Sequence, residues 1–287
     1  MNTLPHAIVD AHVHLWDVGR MRLSWWRPDL GLPRAVRPDA LRAATASAPA
    51  VVTGAVAVQA ADTVREARWL AARAVADPFL RAIVLQYDAR TDPSQWAGMA
   101  QAVIDAADAG RLGARIAGIR LATPGGAADL GDVTGLHRLA EGLTRSGRVL
   151  ELLIRPQQLA AAAALAGAHP GLDVVLCHLA AGGGAGASAR WADGLAGVAA
   201  HPRAAAKVSG LLGAPDDDDR LRAVVAHAFA VFGVDRLMFG SDWPMSARAA
   251  RYAEVVSRTA SLVPVLTTAG VEAFWSGSAL SRYAPAE

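Results

Sequence analysis

"AIVDAHVHLW" (residues 7–16) reads as a β-strand whose second half changes chemistry. The run opens apolar, and Asp10, His12 and His14 then recur at every second position. Side chains alternate along a strand, so both imidazoles are expected on one face, with Asp10 one step deeper. Imidazole is the commonest transition-metal ligand, and two at this spacing can share one ion. The bland alternative is a pair of histidines hydrogen-bonded to loops.

Seven further runs have the same β-type character: 50–59, 80–88, 114–122, 148–156, 172–180, 204–212 and 235–244. Helical patterns lie between them. Residues 61–77 carry a stripe of Val64, Trp69, Leu70 and Val75; residues 93–110, 132–147 and 220–233 each end at a glycine, as helices prefer. The Ala-rich stretch 161–168 also reads as a helix. Strands alternating with helices argue for a parallel sheet. Eight such units in 287 residues predict an α/β fold, a single-domain (β/α)8 TIM barrel over 1–287, with an open doubly wound sheet as the alternative. The irregular stretch 17–40, rich in Pro, Trp and Arg, is too long for a simple turn and is a candidate functional loop.

Basic and acidic side chains number 28 and 26, with no basic run, which argues against a nucleic-acid partner. No apolar stretch is long enough to span a membrane, and the N-terminus lacks a signal-peptide pattern. One cysteine, Cys177, excludes an internal disulfide framework and fits a reducing, cytoplasmic setting. By strand alternation Cys177 is expected opposite His178, packed between barrel and helices.

In barrels of this kind the chemistry sits at the carboxyl ends of the strands. The eighth run ends in Asp242, which follows a glycine and a serine and is placed to act as a base or a ligand. Its alternative role is a helix cap, but Ser246 is the better cap for the helix that follows. The sixth run ends in His178, before a glycine-rich loop without phosphate-loop order. Gln59, Arg120, Glu151 and Lys207 bring amide or charge to the same mouth, some as substrate contacts and some as structural pairs. Trp16, Trp25, Trp26 and Trp243 offer flat faces to a ring. The "DDDD" run, 216–219, reads as N-terminal helix charge.

Together, "IVDAHVHLWD", "GIR" (118–120), "ELLIRPQQL" (151–159), "KVSGL" (207–211) and "DRLMFGSDWP" (235–244) resemble segments of the amidohydrolase superfamily, in order. The likeness is to its lactonase branch, which includes the sugar-lactone and pyrone-dicarboxylate lactonases. The resemblance implies a barrel hydrolase with His12, His14, His178 and Asp242 in the site. The histidine that other amidohydrolases carry on the fifth strand is missing; Glu151 stands on that strand. Within the branch some members use one divalent ion, zinc or manganese, and others none, so an ion held by His12, His14 and Asp242 is optional. Leu121 and Cys177 stand where relatives often have His and Asp, and the loop after "KVSGL" is short and acidic.

The leading expectation is hydrolysis of a sugar-acid lactone, with Asp242 as general base and His178 as its catalytic partner. Trp16, Gln59, Arg120, Glu151, Lys207 and Trp243 are the expected substrate contacts. A small-molecule lactone is the expected partner, and a homo-oligomer is compatible with the sequence. Two rivals stand beside it: a metal-dependent decarboxylase of an aromatic or β-keto acid, and a ligand-binding barrel without catalysis.

Overall fold

In the computed structural model, residues 4–61, 63–87, 115–181, 188–211 and 218–284 are described. Eight strands form one parallel sheet in sequential order: β1 (Ala7–Val13), β2 (Val51–Val58), β3 (Leu80–Tyr87), β4 (Ile116–Ala122), β5 (Val149–Leu153), β6 (Val174–Leu176), β7 (Ala204–Val208) and β8 (Leu237–Phe239). The ends meet just beyond β8. Val13 bridges Trp243 in parallel, the Asp242 N–H donates to His12 O, and the His14 N–H donates to Trp243 O. The molecule is therefore a (β/α)8 TIM barrel.

The helices around it are α1 (Pro38–Thr45), α2 (Val64–Ala76), α3 (Leu136–Ser146), α4 (Leu159–Ala168), α5 (Ala189–Ala199), α6 (Asp218–Phe232), α7 (Tyr252–Leu262), α8 (Thr268–Glu272) and α9 (Ser278–Tyr283). The helix expected over 93–110 lies outside the described residues, as do most of the glycine-rich loop and the first two aspartates of 216–219. Asp218 and Asp219 do open α6. The expected stripe of α2 is shifted. Ala67, Leu70 and Ala71 are buried with Glu66, while Val75 is 53% exposed.

Two apolar layers result from strand alternation. Outward residues such as Ile8, Ile83, Leu150 and Val174 pack in a large cluster with Leu70, Leu165, Leu195 and Val225 of the helices. Leu121 belongs to that outer layer, so its side chain does not reach the mouth. Inward residues form a second cluster in which small side chains recur, among them Ala11, Ala82, Ala117 and Ala205. Tyr283 of α9 enters this inner cluster and is fully buried. In the 17–40 region a short antiparallel pair, Trp16–Asp17 with Ala35–Val36, holds the ends of the loop together.

The first strand departs from simple alternation. Its register against β2 shifts between Asp10 and Val13. Val9 and Ala11 face the interior, yet His12 also turns inward and Val13 outward. A bulge of this kind re-aims side chains beside active sites. Asp10 is consequently not on the histidines' face. Its Oδ1 accepts the backbone N–H of His12 and of Ser241, and its Oδ2 accepts the Tyr252 hydroxyl of α7. This buried carboxylate ties the first strand to the last. Asp10→Ala leaves three buried donors without an acceptor, so a loss of about 3 kcal/mol or more in chemical unfolding is expected. A loss below about 1 kcal/mol would show that the brace is dispensable.

Candidate active site

The ends of β1, β6 and β8 bring four side chains together. His12 Nε2, His14 Nε2 and His178 Nε2 lie 3.7, 3.6 and 3.9 Å from Asp242 Oδ1. The two strand-one imidazoles are nearly perpendicular, at 82°, with 3.2 Å between their Nε2 atoms. His12 and His178 rings are 4.7 Å apart. Three imidazole nitrogens thus surround one carboxylate oxygen.

Both partners from outside β1 sit in unusual backbone. His178, Leu179 and Ala180 have φ of 53°, 53° and 50°, and Asp242 has φ of 57°. Left-handed non-glycine residues cost roughly 1–2 kcal/mol each and cluster at functional sites. The phase of β6 also corrects the expectation that Cys177 packs between barrel and helices. Val175 faces inward and Leu176 outward, so alternation carries Cys177 inward, where its Sγ lies 3.3 Å from Glu151 Oε2. The kink that begins at His178 brings the next side chain to the site as well. Two glycines permit the close packing. A Cβ at Gly240 would stand 2.8 Å from His12 Cβ, and one at Gly210, itself at φ 61°, would stand 2.6 Å from His178 Nδ1. Ser246, the expected helix cap, does not cap: its Oγ is buried without a partner, and the helix begins at Tyr252.

Burial governs the charges. Asp242 is pushed up to about 7, first by burial and further by Asp10, while Arg120 and Lys207 oppose the rise. His178 is pushed down to about 3, chiefly by burial and then by Arg120 and Lys207. His12 and His14 are also lowered well below the usual imidazole range, again chiefly by burial. All three rings are therefore neutral near pH 7. His14 Nδ1 lies 2.8 Å from Val58 O, a pure acceptor, so the proton of that ring is on Nδ1.

The remaining predicted residues divide by what their polar atoms touch. Arg120 reaches the mouth and donates to Gln86 Oε1 and Gln59 O. The Gln59 amide is engaged on both ends: its Nε2 donates to Thr63 O and Glu66 Oε2, and its Oε1 accepts the Gln86 N–H. Glu151 and Lys207 are fully buried below the histidines, joined at 2.5 Å. Glu151 also accepts the Tyr283 hydroxyl at 2.6 Å, and Lys207 Nζ lies 3.2 Å from His12 Nδ1. Trp16 is buried, with its N–H given to Pro33 O and its ring edge-on to Trp25. The Trp25 N–H donates to Ala60 O, and Trp26 packs beneath the Arg34 guanidinium. Trp243 is nearly buried beside the barrel seam. A cavity of about 340 Å³ opens beside Asp242, lined in part by Ser209, Gly210, Ser241, Met245 and Arg248.

Several supporting residues escaped the sequence reading. Ser209 Oγ, two positions beyond Lys207, lies 2.7 Å from His178 Nδ1; its spacing in "KVSGL" was the available signal. Glu66 accepts the N–H groups of Ala60 and Ala61 and an amide hydrogen of Gln59. Because Thr63 and Glu66 stand three apart, they read as an ordinary helix start. Gln86 carried the same strand-end signal as Gln59, near the end of the 80–88 run, and Tyr283 had none.

The donor set fits a divalent ion. Three imidazole nitrogens and a carboxylate oxygen are zinc-type ligands. Among the described residues, His12, His178 and Asp242 form one group close enough to share an ion.

Such a barrel, with titratable groups gathered where its strands end, is built as an enzyme. The chain belongs to the amidohydrolase family, whose model matches residues 9–281. It is similar to an L-fucono-1,5-lactonase of Burkholderia multivorans, 29% identical over 96% of this chain and 95% of that protein. An L-fucono-1,5-lactonase of Burkholderia ambifaria is 29% identical over 86% of this chain and 83% of that protein. Among solved structures, an amidohydrolase from Burkholderia multivorans with bound zinc superposes with a TM-score of 0.79 at 28% identity, covering 98% of this chain and all of that one.

The Lys207–Glu151 pair allows a direct check. Lys207→Met alone strands a buried carboxylate and is expected to cost about 3–5 kcal/mol in thermal or urea unfolding. Adding Glu151→Gln should recover most of that loss; no recovery would contradict the pairing.

Proposed function

We propose that the protein hydrolyses the ring ester of a sugar-acid lactone. The single observation that carries this reading is the Asp242 carboxylate, raised to about 7 and ringed by three neutral imidazoles at the barrel mouth. The family and the lactonase relatives support it.

Lactone opening needs a base for water, a group to polarise the carbonyl and an acid for the leaving oxygen. Asp242 serves as base and then acid. It takes a proton from water as the water oxygen attacks the carbonyl carbon, and returns that proton to the ring oxygen as the C–O bond breaks. With the Ser209 hydroxyl giving to His178 Nδ1, the His178 Nε2–H is the imidazole donor for the carbonyl oxygen as it gains charge. His12, His14, His178 and Asp242 would hold a divalent ion, zinc or manganese, which when bound would act as a Lewis acid toward that oxygen. Arg120, held on one side by Gln59 and Gln86, orients the ring hydroxyls. Gln59, Glu151 and Lys207 act behind these groups, since their polar atoms are engaged with other protein groups. Trp243 borders the site from the seam.

The experiment is acid release from five- and six-membered aldonolactones. Turnover is expected in the native protein and a loss of about a thousandfold in Asp242→Asn with the fold intact. Near-native activity in that variant would overturn the role of Asp242. Because the base must be ionised, kcat/KM of the metal-free protein should rise with pH and level off above about 7, where the carboxylate has lost its proton. A profile flat from pH 5 to 8 would contradict the assignment.

A further inference from the structure

We infer that Lys207 controls how readily this site takes a divalent ion, by holding His12 in the tautomer whose Nε2 carries a proton. The inference rests on the reading that His12, His14, His178 and Asp242 form the ion site. It concerns binding, so it stands apart from whether a lactone is the substrate.

The direction of the hydrogen bonds can be read from both ends. Lys207 Nζ lies 2.5 Å from Glu151 Oε1 and 3.2 Å from His12 Nδ1, with neither charged side chain exposed. An ammonium has hydrogens to give and no lone pair, so His12 Nδ1 must accept. The proton of the neutral ring is then on Nε2. From the far end, His14 gives its Nδ1 proton to Val58 O and presents a bare Nε2. His12 Nε2 stands 3.2 Å from that atom, and only a proton on His12 makes this contact a bond. The two ends agree on one chain: Lys207 to His12, His12 to His14, His14 to Val58.

A metal ligand needs a lone pair where His12 carries its hydrogen. Ligating histidines ordinarily give their second N–H to a carboxylate or carbonyl. Here the group behind His12 is a donor and a cation. An ion using His12 Nε2 must undo the Lys207–His12 bond and sit near the ammonium charge. His14 has its lone pair ready, and the hydroxyl of Ser209 can either give to or accept from His178 Nδ1. Lys207 is thus a positioning residue that disfavours the ion through His12 alone.

Two measurements test this. The first is nitrogen-15 NMR of histidine-labelled, metal-free native protein, which reads the tautomer directly and needs no variant. The expected result is a proton on His12 Nε2; a proton on Nδ1 overturns the inference. The second is equilibrium dialysis with zinc alone, comparing the native protein with Lys207→Met/Glu151→Gln, in which no buried charge is left unpaired. The folded double variant should bind zinc about tenfold more tightly or better. Equal or weaker binding, or no zinc bound by either protein, overturns the inference. Absence of lactone turnover, with these two results obtained, would remove the proposed activity and leave the role of Lys207 in place.

Discussion

A lysine and a glutamate buried at the centre of a barrel constrain everything around them. Two such charges persist away from water only when each meets the other and their remaining hydrogen-bonding capacity is met as well. Glu151 receives Lys207, the Tyr283 hydroxyl and the Cys177 thiol. Lys207 has Glu151 on one side and the His12 ring on the other. The small inward residues Ala11, Ala82, Ala117 and Ala205 leave the room that these long side chains fill. The orientation of His12, and through it of His14, follows from the charges beneath. The mouth is built on a polar floor.

Above that floor, the geometry is held by backbone in costly conformations. Of the five described non-glycine residues with positive φ, four, His178, Leu179, Ala180 and Asp242, belong to two strand ends, and the fifth is Leu130. Such residues persist where neighbours over-determine them. Leu179 O accepts the Trp191 indole, and the His178 ring is fixed by Ser209. Asp242 is flanked by Ser241, whose N–H is taken by Asp10, and by Trp243, whose N–H goes to the Ser241 hydroxyl. His178 and Asp242, which carry the proposed chemistry, are thus among the strained residues.

The barrel was legible because its evidence is periodic. Eight apolar runs alternate with helical stripes, and a period survives local irregularity. The strand-end rule then located His12, His14, His178 and Asp242, which do converge. What alternation could not foresee were its own interruptions. The bulge in β1 separated Asp10 from the histidines, and the kink after β6 brought His178 to the site although its neighbour Cys177 also faces inward. Contacts between distant segments were equally hidden. Nothing local marks Tyr283 as the partner of a glutamate 132 positions earlier. Glu66 was concealed by a sequence pattern that has a simpler use at a helix start.

Tyr283 also bears on the order in which the molecule can be completed. It lies beyond all eight strands in the chain, yet its hydroxyl satisfies Glu151 and its ring lies 5.0 Å from the Lys207 ammonium. When β8 has left the ribosome, every strand of the barrel is available, but the tyrosine that covers the interior pair is still to come. The cover over the charges beneath the active site is thus supplied from beyond the last strand of the wall.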